Sequence, residues 1–295
     1  MADDLPNVGF KTADDIAMKM GFDIDSPLRI QSGVLYQMKM ICNDGDTYLG
    51  INDILEESAA LLDIDEDIIL PIVKDMIHKG ILINEEDCIY LPYLYEAEKD
   101  TAERLAYKAN YEDGEEIKEI DFDELQKLAN IEFDEKQIDA IKLANTSNIM
   151  VLTGGPGTGK TTVTRGIIEM LKKQKKTIAL AAPTGKAAKR ISELTGSPAM
   201  TIHRMLEYNP ALGYQRDEQN PLTESVLIVD EASMINIELM HNLIKAVPLK
   251  MKLIIIGDVD QLPSIGSGNV LRDIINSKKI PVIKLDKIFR QAFWL

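Results

Sequence analysis

The segment from Val151 to Thr162 combines glycines with a lysine at a spacing suited to holding phosphate. It reads VLTGGPGTGKTT and fits the pattern G-x4-G-K-[S/T]. In this pattern glycines let backbone N–H groups curl around phosphate oxygens, and the following helix adds the partial positive charge of its N-terminus. We expect Lys160 to contact the β- and γ-phosphates and Thr161 to ligate Mg2+. The predicted nucleotide-binding residues are Gly154, Gly155, Pro156, Gly157, Thr158, Gly159, Lys160, Thr161 and Thr162.

Two acidic residues follow a second apolar run. The run SVLIVD ends at Asp230, and Glu231 comes next. Asp230 can hold Mg2+ through water or together with Thr161, and Glu231 can polarise the water that attacks the γ-phosphate. On their own these two residues would fit a solubilised loop equally well. Their position one strand–helix–strand excursion after the phosphate loop favours the chemical role.

A glutamine follows a third apolar run, KLIIIG, which spans residues 252–257. The chain continues as DVDQLPS, so that Gln261 precedes a Leu-Pro-Ser turn. A neutral amide at this place can sense whether a γ-phosphate is present. The loop after it can then transmit the difference to other parts of the protein. The alternative is a solvated turn, since Gly, Asp, Pro and Ser are ordinary turn residues.

Short apolar runs alternate with helical stretches from Asn148 onward. The runs read NIMVLT, TIALAAP, SVLIVD, KLIIIG and IPVIKL, and the helical stretches include TTVTRGIIEMLKKQ and GKAAKRISELTG. Continuous apolar runs are typical of strands buried on both faces, and their alternation with helices predicts right-handed βαβ units and a parallel sheet. Ligands bind beyond the carboxyl ends of the strands in such sheets. We therefore expect the phosphate loop, the Asp-Glu pair and Gln261 at one edge.

The first 130 residues have a different character. They contain 11 Lys+Arg against 31 Asp+Glu, whereas residues 131–295 contain 22 against 17. The stretches IQSGVLYQMKMI and DEDIILPIVKDMIHKGIL have helical periodicity, and INEEDCIYLP predicts a short strand, an order that resembles a winged-helix arrangement. We predict a mostly helical domain over 1–108, an acidic connector or exposed helix over 109–130, and an α/β phosphate-loop domain over 131–295.

The bulk composition excludes several classes of protein. Hydrophobic residues make up 45% and charged residues 27%, as in soluble globular proteins. The two cysteines, Cys42 and Cys88, have neither a disulfide-framework nor a zinc-site spacing. The start, MADDLPNVGF, lacks signal-peptide features, and no apolar stretch approaches the ~20 residues of a membrane span. We expect a cytoplasmic protein without a membrane partner, whose second part carries the excess of positive charge for a polyanion.

Six motifs occur in an order that resembles superfamily-1 DNA helicases. They cover about Phe133 to Gln291 and read GGPGTGKTT, APTGKAAKR, TIHRML, LIVDEASM, GDVDQLPS and IFRQA. The sequences of these motifs are most similar to those of the RecD-like helicases, a branch that includes the alpha subunit of exodeoxyribonuclease V. The resemblance implies a RecA-like domain that binds ATP and Mg2+, movement 5′ to 3′ on single-stranded DNA, and a role in recombination and repair.

The resemblance assigns roles to further residues. Gln137 would hydrogen-bond the adenine, Phe289 would stack on it, and Arg290 would stabilise charge on the transferring phosphoryl group. A plain amphipathic helix start is the alternative for Gln137. The implied catalytic residues are Lys160, Asp230, Glu231, Gln261 and Arg290.

The element APTGKAAKR resembles the part of these helicases that grips single-strand phosphates. A helix N-terminus rich in lysine and arginine agrees with an anion site, although a solvated basic helix would look the same. TIHRML is a second candidate for strand contact, and a surface or packed histidine is its alternative. The residues predicted to contact DNA are Pro183, Thr184, Lys186 and His203.

The segment 5–21, LPNVGFKTADDIAMKMG, resembles the second half of a helix-hairpin-helix motif. Its hairpin, Val8-Gly9, would offer backbone N–H groups to a DNA phosphate. The strongly acidic surroundings oppose such binding and favour a scaffold or partner-docking role.

The resemblance calls for a second RecA-like domain after the motif that contains Arg290. The sequence ends at IFRQAFWL, and we expect it to be a fragment of a longer protein. By itself it would then bind nucleotide, and DNA or a helicase or nuclease partner, without unwinding. The helicase domain of a conjugative relaxase is one alternative. An AAA-type loader is another, against which the Gln261 loop and the Phe289-Arg290 pair argue.

Overall fold

The computed structural model describes residues 9–112, 114, 116–261 and 264–289. The chain divides into two units. The first comprises Met1–Glu98 with Ile265–Gly268, and the second comprises Lys99–Ser264 with Asn269–Leu295. The domain boundaries at residues 108 and 130 that we inferred from composition stay predictions.

The first unit is mostly helical. Its helices are α1 (Phe10–Lys19), α2 (Pro27–Asn43), α3 (Ile51–Leu62), α4 (Glu66–His78) and the beginning of α5 (Pro92–Ala109). The first stretch with helical periodicity lies within α2, and the second, residues 65–82, contains α4 and extends past its end at His78. Apolar side chains at three- and four-residue spacing form the core, among them Ile30, Val34 and Val73, all fully buried.

A small antiparallel sheet completes the first unit. It has the order β1-β3-β2, formed by β1 (Tyr48–Leu49), β2 (Ile83–Glu85) and β3 (Cys88–Tyr90). We predicted one strand where β2 and β3 form a hairpin. The chain reverses at Glu86, whose φ is 56°, and a polar two-residue turn inside a short run leaves little periodic signal.

The second unit is built on a six-stranded parallel sheet. Its strands are β4 (Ile149–Gly154), β5 (Ile178–Ala182), β6 (Met200–Thr201), β7 (Val226–Val229), β8 (Lys252–Gly257) and β9 (Val282–Leu285). Their order is β6-β5-β7-β8-β4-β9, and every pairing is parallel. All five predicted runs form strands, which confirms the predicted fold class. β6 escaped prediction because two residues carry no periodicity.

Helices flank the strands of the second unit, and from α8 onward they alternate with the strands as the βαβ pattern predicted. They are α6 (Phe122–Ala129), α7 (Glu135–Thr146), α8 (Lys160–Lys173), α9 (Gly185–Thr195), α10 (Ile202–Met205), α11 (Ile237–Ala246), α12 (Val270–Ser277) and a 3-10 turn (Ala232–Met234). α7 and α8 cover one face of the sheet, where Ile141 and Ile167 pack with Leu152 and Ile254. Both faces of the central strands are buried.

The predicted acidic connector contains α6. Asp121 caps this helix by accepting a hydrogen bond from Glu124 N at 3.0 Å. Leu125 and Ala129 are 2% and 1% exposed and join the core around α7 and α8. The helix is therefore exposed on one side only, because its two buried residues lie four apart on one face. None of the helices in the described part of the chain is both long and apolar enough to cross a membrane.

Candidate functional site

The carboxyl ends of three neighbouring strands bring the candidate residues together. In the parallel register, Ile255 of β8 lies opposite both Val151 of β4 and Val229 of β7. The phosphate loop leaves β4, the Asp-Glu pair leaves β7, and the loop with Gln261 leaves β8. These three groups therefore begin at one edge of the sheet, with the Gln261 loop on the middle strand.

The phosphate loop turns tightly between β4 and α8. Gly154 has φ 155°, and a Cβ added to it would lie 2.5 Å from the backbone oxygen of Leu285 and 2.7 Å from Thr158 Oγ1. Only glycine fits here, because an added methyl group would meet backbone of the neighbouring strand. Thr158 Oγ1 donates to Gly155 O at 2.8 Å and braces the turn.

Lys160 opens α8 and lies across the loop. Its Nζ donates to Gly154 O at 2.5 Å and to Gly155 O at 3.1 Å. The preceding N-cap residue is Gly159, which has no side chain to bond the first-turn N–H groups of α8. Thr161 and Thr162 lie in that first turn and are half-buried. A helix start of this kind can receive phosphate oxygens.

Asp230 is held at the end of β7 in a poorly solvated position. Burial raises the pKa of its carboxyl group, and the nearby charge of Glu231 also raises it. The positive charges of Lys160 and Arg190 act in the opposite direction. Asp230 is therefore close enough to Lys160 for the two charges to interact across the strand ends.

Glu231 has an unusual backbone conformation. Its φ of 53° and ψ of 41° lie in the left-handed region, and it forms the N-cap of the 3-10 turn. A non-glycine residue in this region is uncommon, and such strain is frequent at functional sites. Arg190 Nη1 lies 3.6 Å from Glu231 Oε1. We did not single out Arg190 from the sequence as a neighbour of this carboxylate, because α9 precedes β7 by about thirty residues.

The loop after β8 is shaped by Asp258. This side chain is 2% exposed, and its Oδ1 accepts a hydrogen bond from Asp260 N at 3.1 Å. Its backbone oxygen accepts from Gln261 N at 3.2 Å, while Gln261 itself is exposed. Residues 262 and 263, part of the predicted Leu-Pro-Ser turn, lie outside the described residues.

Gly257, at the end of β8, was not identified from the sequence. A Cβ added to it would lie 3.1 Å from Ser233 N and 3.2 Å from Ala232 N. The missing side chain lets the 3-10 turn that follows Glu231 pack against the strand that leads to Gln261. A Gly-Asp pair at a strand end is too common a turn signal to have revealed this contact.

Gln137 and Phe289 both lie close to Gly159 of the phosphate loop. Gln137 Oε1 accepts from Asp134 N at 3.1 Å, and Gln137 N donates to Asp134 Oδ1 at 2.9 Å, which together form a capping box at the start of α7. A Cβ on Gly159 would lie 2.4 Å from Gln137 Nε2 and 3.5 Å from the Phe289 ring. Phe289 N donates to Gly157 O at 2.9 Å. Arg290 lies outside the described residues.

The predicted DNA contacts lie at the ends of β5 and β6. These strands pair with Ala182 opposite Thr201. Thr184 caps α9 by accepting from Ala187 N at 3.2 Å, and Lys186 follows on the exposed first turn. His203 is exposed on α10. Because β5 neighbours β7 in the sheet, this group continues the edge that carries the nucleotide-site candidates.

The strand ends and the loop between β4 and α8 place the chain among the phosphate-loop nucleotide-binding proteins with a RecA-like sheet. A family model described as an AAA domain matches residues 137–267. A second, described as the ATP-dependent RecD2 DNA helicase HHH domain, matches residues 1–48. Over nearly its whole length the chain is similar in sequence to the RecD-like helicases of superfamily 1. The helix-hairpin-helix prediction is thereby confirmed; α1 begins at Phe10, and Val8 lies outside the described residues.

Relatives with curated names agree with this family. The chain is 30% identical over 307 residues to an ATP-dependent RecD2 DNA helicase of Deinococcus radiodurans, covering 98% of this chain and 42% of that protein. It is 38% identical over 176 residues to a RecBCD enzyme subunit RecD of Mycobacterium tuberculosis, covering 52% of this chain and 30% of the relative. A Pif1 helicase structure from Candida albicans aligns with a TM-score of 0.41 at 25% identity, over 55% of this chain and 41% of that one. The chain thus spans less than half the length of the curated relatives it matches.

Proposed function

We propose that this chain is the ATP-binding portion of a DNA helicase that moves 5′ to 3′ on single-stranded DNA during recombination and repair. The observation that carries the proposal is the strand order β7-β8-β4. It places the loop of Gln261 between the phosphate loop and the Asp230-Glu231 pair. A protein that only held a nucleotide would not need an amide there, whereas a motor must distinguish ATP from ADP.

Each residue at the strand ends has a proposed part in ATP hydrolysis. Lys160 binds the β- and γ-phosphates, and Glu231 orients the attacking water and receives its proton. Arg290, outside the described residues, stabilises charge on the transferring group. Gln137 and Phe289 flank the loop closely enough to bind adenine through hydrogen bonding and stacking; the capping box engages Oε1 of Gln137, and its Nε2 lies against Gly159.

The oxygen atoms of Thr161 and Asp230 suit magnesium. Mg2+ prefers a hydroxyl or carboxylate oxygen together with phosphate oxygens. Burial disfavours the charged form of Asp230 and raises its pKa, and a bound cation favours the same charged form. The two residues would hold the ion, which neutralises negative charge on the phosphates.

Single-stranded DNA is the proposed substrate because of the group at the ends of β5 and β6. Pro183 and Thr184 immediately precede α9, Lys186 offers a positive charge near that helix start, and His203 lies on the neighbouring element. Phosphates are bound by such helix starts and lysines. We propose a cytoplasmic location, which the sequence predicts and which agrees with a DNA substrate.

A second candidate function follows from the share of its relatives' length that the chain spans. The chain spans 42% of the RecD2 helicase relative, so we expect these 295 residues to bind nucleotide and DNA without separating strands. The relatives named as RecBCD subunits support a helicase or nuclease protein as a partner. Separation of DNA strands by the chain alone would contradict the proposal that it only binds nucleotide and DNA.

The nucleotide site is tested with Lys160→Ala. We expect Mg-ATP to raise the thermal unfolding temperature of the wild type and not of the variant, because the variant lacks the charge that binds the phosphates. Lys172→Ala is the control, since Lys172 lies at the other end of α8 and pairs with Glu169 at 2.8 Å. Equal stabilisation of wild type and Lys160→Ala would refute the site.

A further inference from the structure

Three aromatic rings lie together on the surface after β6. The ring centroids of Tyr208 and Tyr214 are 4.8 Å apart, and those of His203 lie 5.6 Å from Tyr208 and 5.8 Å from Tyr214. We call these three side chains the aromatic cluster. Its rings contact one another at normal aromatic distances, yet Tyr208 is 47% exposed, His203 is exposed and Tyr214 is half-buried.

Backbone hydrogen bonds hold the two tyrosines in place. Tyr208 N donates to His203 O at 2.9 Å, and Gln215 N donates to Leu206 O at 3.0 Å. The loop between them is closed by Asn209 N to Gly213 O at 2.8 Å and by Gly213 N to Asn209 O at 2.7 Å. The exposed rings are therefore positioned before any ligand arrives, which lowers the entropic cost of binding one.

An ion pair at the base of this loop adds to its order. Arg216 donates to Glu207 Oε1 through Nη2 at 2.8 Å and through Nε at 3.1 Å. Glu207 has φ 52°, so the turn into Tyr208 is tight. The carboxylate nearest to the cluster along the chain is thereby paired with a cation. Glu238 also lies close enough to raise the pKa of Tyr214, after burial and Tyr208.

Basic side chains lie at the same edge of the sheet. Lys186, Lys189 and Arg190 are on α9, which follows β5, and Arg204 is on α10, which follows β6. All four are exposed. Lys189 is 3.8 Å from Glu193, and Arg190 is 3.6 Å from Glu231. Residues 131–295 as a whole carry 22 Lys+Arg against 17 Asp+Glu.

We infer that the aromatic cluster is a stacking platform for the bases of a single-stranded nucleic acid whose phosphates contact the start of α9. The inference rests on the proposed function and adds to it the residues that hold the bases. Flat rings suit any base, because every base has a π-face, and a basic surface beside them suits the backbone. The positive neighbourhood favours a nucleic acid over an apolar protein segment as the occupant.

The test compares two DNA strands that differ only in their bases. Binding of the 295-residue chain is measured by fluorescence anisotropy, once with an oligothymidine and once with an abasic strand of equal length and charge. We expect wild type to prefer the oligothymidine. Tyr208→Leu should weaken binding of the oligothymidine by roughly 5- to 150-fold, the usual loss for one stacked base, and leave the abasic strand unaffected.

Three variants make the result specific. Tyr208→Phe keeps the ring and should restore binding. Tyr107→Leu removes a tyrosine that is 70% exposed on α5 and should change nothing. Lys186→Ala removes a phosphate contact and should weaken both strands alike. Stabilisation of Tyr208→Leu by Mg-ATP, equal to that of wild type, establishes that its second unit is folded.

The outcomes separate the inference from the proposed function. If wild type binds both strands equally, or Tyr208→Leu weakens both equally or neither, the platform is overturned while DNA binding stands. If wild type binds neither strand, the platform and the DNA substrate are both overturned, and the nucleotide site is judged by the Lys160→Ala experiment.

Discussion

At the residue scale, two adjacent glycines of the phosphate loop differ in the space that is available for a side chain. A Cβ on Gly154 would lie 2.5 Å from Leu285 O, whereas a Cβ on Gly155 meets no heavy atom within 4 Å among the described residues. We predict that Gly154→Ala lowers the free energy of unfolding by at least about 2 kcal/mol, through overpacking and a strained φ, and abolishes Mg-ATP binding. Gly155→Ala should stay within about 1 kcal/mol of wild type. Urea unfolding and titration with Mg-ATP measure both; equal effects would show that the loop yields at Gly154.

The exposed amide of Gln261 carries the proposed distinction between ATP and ADP. We predict that Gln261→Ala leaves the free energy of unfolding within about ±0.5 kcal/mol of wild type and leaves ADP affinity unchanged. Its affinity for a non-hydrolysable ATP analogue should fall, because the γ-phosphate loses a hydrogen bond that ADP never makes. Isothermal titration gives the ratio of the two affinities. Gln219→Ala, at another exposed loop glutamine, is the control. An unchanged affinity ratio in Gln261→Ala would show that Gln261 is an ordinary solvated turn residue.

At the scale of elements, α5 is tied to the chain after α11 by a buried lysine. Lys108 is 1% exposed, and its Nζ donates to Pro248 O at 2.9 Å and to Leu249 O at 3.0 Å. Burial lowers its pKa from 10.5 to about 8. Between these values the unfolded chain binds more protons than the folded chain, so this lysine makes the protein more stable as pH rises.

This lysine predicts a pH-dependent difference between wild type and Lys108→Met. The unfolding free energy of wild type relative to the variant should increase above pH 8, by up to about 1.4 kcal/mol per pH unit as far as pH 10. Urea unfolding across this range measures it, following the transition of the second unit. Lys279→Met, at an exposed lysine after α12, should keep a constant offset from wild type. A constant offset for Lys108→Met as well would mean that the buried amine keeps its ordinary pKa.

At the scale of the whole molecule, the charge is unevenly distributed. The chain has a net charge of -15, but residues 131–295 carry 22 Lys+Arg against 17 Asp+Glu. We predict that binding of single-stranded DNA depends on salt and that Lys186→Ala reduces the slope of log affinity against log salt by about 0.7, the value for one phosphate contact on a single strand. Lys279→Ala should not change the slope. Lys279 precedes β9, which is the outermost strand on the side of the sheet opposite to β6. A slope equal to wild type in Lys186→Ala would remove that lysine from the DNA site.

The sequence by itself determined the elements of the second unit and the residues that its chemistry needs. Five strands could be predicted because continuous apolar runs record burial on both faces, and this signal lies among neighbours in the chain. The phosphate loop could be predicted for the same reason, since Gly154, Gly159 and Lys160 are all within seven positions. The sequence also predicted that these residues meet at one edge of the sheet, because parallel strands all have their carboxyl ends at the same edge.

Only the tertiary structure decided the arrangement of these parts. The sequence does not contain the strand order, which puts β8 and therefore Gln261 between β4 and β7. It does not reveal that Glu231 adopts a left-handed conformation, that Gly257 packs against the 3-10 turn following Glu231, or that Lys108 is buried. The physical reason is distance along the chain: Lys108 meets a carbonyl 140 residues away, and contacts of that separation exist only once the sheet and its helices have packed.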